Sequence, residues 1–440
     1  MKVKQLLSLL ILMTTMGLLA ACGGGNDTPD TRDYIRHVTP TGEHANRIRA
    51  ITYVTFDDLT PEGYRLTQSW DAMGMCTNET VYVGFTAFRP DGLEDFLLFS
   101  YNHTSGRRRF IGSFMQAAQA AGNLEYGEEM PKGHTRLVYA NGMLYMTSQG
   151  FHDFKESLDR LEEYRGAHLF RYDIANGEFT NVTAHLPDGV IIPHEGIIAL
   201  KYMPSAGYLV GLTHPHSNLV FIDMETYEVS RVAQGIPWSP GLVVSRDLVV
   251  DDINQRVFIY RGPENVYRIP GSIYTRFTAM NAFPVYMYDL ATDALSVIMS
   301  PVEGGMWGTT LVRSDGQKAY VSTVGGFLVE IDFATPRARI IGNLLPREFV
   351  RAGHRLNSLY HITFSPDETR LYTIPTYAGY ITGLYEFDLY TRESVRLVEL
   401  PARVYTGNGI IDSGGNLYFA AFGYHNWSGD CRLMIIEIEH

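Results

Sequence analysis

Cysteine is scarce in this chain, three in 440 residues, which excludes a scaffold stapled by disulfides. HExxH and CxxC spacings are missing, so no sequence signature points to a zinc hydrolase or a paired-cysteine metal site. There is no GxSxG elbow and no phosphate-binding glycine loop, which leaves serine hydrolysis and nucleotide chemistry without support. Basic excess is lacking too: the formal net charge is −12 and grows more negative without Lys2 and Lys4 of the leader, which carries no acid. Nucleic acid is thereby disfavoured as a partner, and an anionic ligand would require a locally basic pocket. Extended helical periodicity is absent, which argues against a parallel α/β sheet.

What is present begins with an export signal. Lys2 and Lys4 precede an apolar run from Leu6 to Leu19 that ends in Leu19-Ala20-Ala21-Cys22. The run is too short for a transmembrane helix and reads as a signal peptide over residues 1–21. The small residues before Cys22 resemble a bacterial lipobox, whose cysteine becomes the acylated N-terminus. Gly23-Gly24-Gly25 and the polar residues after them resist packing and suit a tether, so residues 22–47 are expected to be a flexible, lipidated linker. A cell-envelope lipoprotein, at the outer membrane or cell surface, is the expected location. A plain signal peptide would instead leave the protein free. Of the three cysteines, Cys76 and Cys431 remain as the one available pair, and nothing in the sequence brings them within reach.

The body, residues 48–440, exceeds one ordinary core unless its architecture repeats. It does repeat. An apolar residue, Asp and a turn rich in Thr, Asn and Gly recur at Tyr172-Asp173, Ile222-Asp223, Tyr288-Asp289, Ile331-Asp332 and Phe387-Asp388, with aspartates 50, 66, 43 and 56 residues apart. Each lies between short alternating apolar stretches, as a hairpin turn would. Four short strands at this period make a propeller blade. Inner strands near Trp70, His134, His194, Arg246, Trp307, Tyr360 and Gly409 predict an all-β, seven-bladed β-propeller of four-stranded antiparallel blades, expected to be a monomer.

That architecture pairs residues distant in sequence. The start of a blade's innermost strand and the end of its antiparallel partner lie on the same face. His134 and His152 should therefore converge at one mouth of the channel, joined by His194 and His214 from blade three, Arg246, Tyr260 and Arg261 from blade four, Trp307 from blade five and His425 from the last blade. A small basic patch on an acidic protein is what an anionic ligand requires. Charges at helical spacing over residues 153–168 suggest a short exposed helix above this rim, a solvated loop being equally allowed.

Several short, ordered motifs carry a family resemblance: QSWDAMG (68–74), PKGHTRLVY (131–139), SQGFHDF (148–154), YRGAHLF (164–170), GIPW (235–238), VVSR (243–246) and YRGPE (260–264). Together they resemble the ulvan lyases of polysaccharide lyase families 24 and 25, seven-bladed propellers that cleave a sulfated algal polysaccharide. The likeness is strongest over the first four blades. It implies that His134 and His152 flank the reacting uronic acid and that Arg246, or else Arg261, neutralises the uronate carboxylate. Tyr260 is the nearest match to the family's catalytic tyrosine, with His194, His214, Arg261 and Trp307 binding substrate.

The chemistry can also be argued from the residues. Breaking the bond at carbon 4 of a uronate by β-elimination requires removal of the carbon-5 proton, which the adjacent negative carboxylate makes barely acidic. An arginine on the carboxylate offsets that charge, and a neutral imidazole is a suitable base. No cofactor is required, and no catalytic metal is expected; a structural ion near Cys431 and His425 is left open. The expected partner is an anionic polysaccharide, together with a membrane reached through lipid on Cys22. Two rival readings share the rim: a non-catalytic glycan-binding surface lipoprotein, and a propeller lactonase needing a calcium site of buried carboxylates.

The anchor has a direct test. Cys22→Ser should move the protein from the membrane to the soluble fraction with its fold and activity retained. Membrane retention of that variant would show that Cys22 is not the acylated residue.

Overall fold

The computed structural model describes residues 34–77, 80–150, 161–214, 216–233, 246–260, 282–283, 285–298, 302–303, 307–323, 326–351, 360–375, 382–400, 404–423 and 431–439. Among the described residues seven antiparallel sheets of four or five strands succeed one another along the chain, with a two-stranded pairing of Ala282–Phe283 and Val302–Glu303 beside them. Their inner strands touch in order, Met73–Thr77 against Val138–Ala140, then Gly196–Met203, Val249–Asp251, Trp307–Val312, Tyr360–Phe364 and Val404–Ile411, which returns to Met73–Thr77. The chain is a closed seven-bladed β-propeller. Among the described residues the α-helices are Phe114–Ala120 and Arg347–Arg351, both short.

Blade seven joins the two ends of the chain. Val404–Ile411, Asn416–Gly423 and Arg432–Ile438 come from the C-terminus, while Ile48–Thr55 pairs with Arg432–Ile438 and Ile35–Val38 pairs with Ile48–Thr55. Ordered structure therefore starts before residue 48. The expected linker over residues 22–47 is too long at its C-terminal end, because the edge strand Ile35–Val38 packs Ile35 in the seam of blades seven and one and Val38 in that of blades six and seven, and the turn Ala45–Arg47 follows it.

The repeated aspartates sit between the third and fourth strands of blades two to six. Asp173 Oδ1 accepts the N–H groups of Ala175 and Asn176 at 2.9 and 3.0 Å, Asp223 those of Glu225 and Thr226 at 2.8 and 2.9 Å, and Asp388 those of Tyr390 and Thr391 at 2.9 and 2.7 Å. Asp289 and Asp332 each accept the N–H three residues on, from Thr292 and Thr335, at 3.0 Å. The side chain supplies the acceptor that a tight turn needs, which explains the repeat.

Burial follows the seams. Among the described residues the apolar core divides into seven clusters, one between each pair of neighbouring blades. The seam between blades one and two adds the helix Phe114–Ala120, capped by Ser113, with Phe114 stacked between Phe96 and Phe170 at 4.2 and 4.1 Å. Phe96 lies so close to Gly84 that a β-carbon there would come within 2.0 Å of its ring, so any larger residue at Gly84 would displace it. Cys76 packs in the seam of blades one and two and Cys431 in that of blades seven and one, so the two cysteines do not meet.

Two inner strands are interrupted. Blade one breaks between Arg65–Gln68 and Met73–Thr77, and blade two between Lys132–Gly133 and Val138–Ala140. The gaps hold Trp70 and Asp71 in one blade, His134 and Arg136 in the other. Of the charged stretch 153–168, residues 153–160 lie outside the described residues, and Leu161–Glu163 form a single 3-10 turn.

Closure can be measured. Ile51, 2% exposed on the N-terminal strand of blade seven, packs in the seam with blade six. Ile51→Ala should cost about 2–5 kcal/mol and lower the denaturant midpoint, whereas truncating the exposed Tyr390 should change stability by no more than about 0.5 kcal/mol.

Candidate functional site

Both strand interruptions open onto the propeller axis. His134, 3% exposed, follows Lys132–Gly133, the short inner strand that pairs with Ser148 and Gln149. The indole of Trp70 stacks on its ring at 5.3 Å, and Lys132 Nζ lies 4.3 Å from the centre of that indole. Arg246, just before the inner strand of blade four, brings Nη2 to 2.6 Å from His134 Nε2. On the other side of the imidazole, Asp71 Oδ2 lies 3.4 Å from Nδ1.

His134, Arg246 and Asp71 line a small cleft together with Arg136, Asp247, Asn408, Gly308 and Ile198–Leu200. Every blade but the sixth contributes to that lining. Blade six supports it from behind: His361 Nδ1 lies 3.1 Å from both Asn408 Oδ1 and Thr309 Oγ1.

The charges inside are held. Asp247 accepts Lys201 Nζ at 3.0 Å and the N–H and hydroxyl of Thr310 at 2.8 and 3.0 Å, tying blades three, four and five beside Arg246. Arg136 Nη2 donates to the carbonyls of Ile362 and Gly409 at 3.3 and 3.4 Å. Burial lowers the pKa values of both Arg136 and Lys201, opposed by the charges of Asp247 and Asp71. Burial, then the positive charges of Arg246 and Lys132, holds the His134 pKa well below the ordinary imidazole value. His214, whose Nδ1 lies 3.3 Å from Gln149 Nε2, falls to about 3, through burial first and then Lys132 and Arg246. At environmental pH both imidazoles are neutral and keep a lone pair, and the same burial and cations that keep them neutral also weaken them as bases.

The structure thus joins two of the residues chosen from sequence, His134 and Arg246, and sets His214 within the field of the same cations. Others go elsewhere. Tyr260 belongs to the seam of blades four and five, among Val249, Phe258 and Val285, where burial drives its pKa far up, and it does not line the cleft. As the last residue of Arg256–Tyr260 it alternates into the seam, so it is a core residue rather than a rim proton donor. His194 is exposed, in a left-handed backbone conformation, with Nδ1 2.9 Å from the carbonyl of Tyr164, outside the cleft lining. Trp307 opens the inner strand of blade five beside cleft-lining Gly308, its side chain outside the described residues. His152, Arg261, His425 and Cys22 also lie outside the described residues.

Sequence reasoning passed over Asp71, Arg136, Asp247, His361 and Asn408. Asp71 and Arg136 stand inside motifs already singled out, and Asp247 adjoins Arg246. His361 and Asn408 have no local signal, since only ring closure brings them to the axis. Among the described residues, no group of three or more His, Cys, Asp or Glu side chains is placed to hold a metal ion.

Comparison with known proteins supports the architecture alone. No protein-family model matches the chain, and no curated protein matches its sequence. Among solved structures it is similar to the β-propeller domain of Cps50 (Swd1) from Myceliophteria thermophila, at 11% identity and a TM-score of 0.51 over 85% of this chain and 99% of that one. It is also similar to a chain of the mitotic checkpoint complex, at 9% identity and a TM-score of 0.52 over 87% of this chain and 96% of that one.

The neutral histidines make stability depend on pH with a defined sign. A histidine whose folded pKa is depressed binds fewer protons folded than unfolded, so its contribution is complete above the unfolded pKa, near 6.5, and is lost as pH falls toward the folded pKa. For His214 that window runs from about 6.5 down to about 3. The unfolding midpoint should fall on acidification through it, and less steeply in His214→Gln. An equal slope in the two proteins would place the acid sensitivity elsewhere.

Proposed function

We propose that this protein is a polysaccharide lyase that cleaves a uronate-containing anionic polymer by β-elimination. The observation that carries the reading is the pair of His134 and Arg246 at the axis, a neutral buried base against a guanidinium. The similarity of the motifs around both residues to ulvan lyases supports a sulfated algal polymer as the substrate.

In this reading Arg246 guards the base until substrate arrives. Its donation to His134 Nε2 occupies the lone pair that would take the proton. A uronate carboxylate competes for the guanidinium with charge-assisted, two-pronged bonds, stronger than a bond to a neutral ring. As Arg246 turns to the carboxylate, it offsets the charge that builds up when carbon 5 loses its proton, and it frees Nε2 to accept that proton. The carbon 5–hydrogen electrons form the carbon 4–carbon 5 double bond, the carbon 4–oxygen bond breaks, and the leaving oxygen takes up a proton. His152 is the candidate donor; Tyr260, in its apolar seam, is not. The products are a shortened chain and a 4,5-unsaturated uronate end. Lipid on Cys22 would hold the enzyme at the cell envelope, where such a polymer is met.

Near-ultraviolet absorbance during incubation with ulvan and other uronate polymers separates this reading from glycan capture, because elimination makes a conjugated product and binding does not. His134→Ala and Arg246→Ala should each lower turnover by about 10²-fold or more in protein that is still folded, with some loss of stability from truncating the buried His134. Arg246→Lys should recover only part, since a point charge cannot form the planar fork. Parental turnover in folded His134→Ala, or no product from any uronate polymer, would overturn the proposal.

A further inference from the structure

We infer that Asp71 is a positioning residue, which keeps the proton of neutral His134 on Nδ1 and so leaves Nε2 as the base; the inference rests on the lyase reading. The argument starts from donors and acceptors. A guanidinium has only N–H donors and does not lose its proton in a protein. With Arg246 Nη2 at 2.6 Å, His134 Nε2 must be the acceptor in that contact, and so is unprotonated. The one remaining ring proton of the neutral imidazole sits on Nδ1.

Nδ1 is buried and completes no hydrogen bond among the described residues. The acceptor facing it is Asp71 Oδ2 at 3.4 Å. A proton-bearing nitrogen turned toward a carboxylate is favoured over a lone pair in the same place, so Asp71 selects the tautomer that Arg246 requires.

The carboxylate cannot easily leave. The Asp71 backbone carbonyl accepts Asn408 Nδ2 at 3.2 Å and the Met73 N–H at 2.8 Å, and Asp71 Oδ1 faces His361 Nδ1 at 3.9 Å. Trp70, stacked on the imidazole, hinders the ring from turning over. Once Nε2 has taken the proton, the imidazolium lies among cations, and Asp71 supplies the opposing charge. Catalytic hydrogen bonds that are long in a free enzyme commonly tighten at that stage.

Nitrogen-15 NMR of the full chain labelled on histidine, with the His134 signals assigned through His134→Gln, reads the tautomer without any turnover. The parent should show the Nδ1–H pattern at His134. Arg246→Ala, which removes the donor at Nε2, should keep it, and folded Asp71→Asn in that background should lose it for a mixture or for Nε2–H, with Asp71→Glu keeping part of it. On a uronate polymer, Asp71→Asn should lower kcat by about 10²-fold or more with KM little changed, and Asp71→Glu should regain part of that loss. An unchanged His134 pattern in the folded Asp71→Asn, Arg246→Ala double variant, or parental kcat in Asp71→Asn while Arg246→Ala is impaired, would overturn the role of Asp71 and leave the lyase reading intact. Loss of the Nδ1–H pattern in a protein that releases no unsaturated product from any uronate polymer would uphold the tautomer assignment and remove the lyase reading.

Discussion

The pairing of Ile48–Thr55 with Arg432–Ile438 is the constraint on which the site depends. An open row of blades would leave the outer blades with one bare apolar face each and would set Asp71 far from Asn408. Closing blade seven with strands from both termini gives every blade two neighbours and buries a hydrophobic seam on each side. It also forces the seven inner strands around one axis. Contacts such as Asn408 to Asp71 exist because the ring is shut.

That axis is an unfavourable place for charge, and the side chains there show how it is accommodated. Lys201 meets Asp247, which is also held by Thr310, and Arg136 donates to two backbone carbonyls. Partnered charges in a poorly hydrated space are tolerable; isolated ones are not. The histidines respond differently, giving up their charge under burial and the nearby cations. The two responses together set a guanidinium beside an uncharged imidazole, the arrangement on which the proposed lyase reading rests. The interrupted inner strands of blades one and two matter here, since leaving the ladder lets Trp70, Asp71, His134 and Arg136 meet the axis.

Local rules in the sequence carried most of the fold. The Asp-centred turns recur because each hairpin needs the same side-chain acceptor, and alternating apolar residues mark strands with one face in each seam, so the blade count could be read. His134 and Arg246 were legible as members of one rim because each stands where an inner strand begins, whereas the pair expected from sequence was His134 with His152. Tyr260 was misread by the same rule: one step of alternation separates the seam from the rim, and position near a strand end does not decide which way a side chain turns.

The sequence by itself determined that this chain is all-β, built of repeated blades, acidic overall, and equipped with histidines and arginines at strand starts. Only the tertiary structure decided which of them meet. Asp71, Asn408 and His361 come from blades one, seven and six, and no local pattern links them. The distance between Arg246 and His134, and with it the ring nitrogen that accepts from the guanidinium, follows from how the seams pack and how the ring closes. Those are long-range properties, set by burial summed over the whole circle rather than by any one stretch of chain.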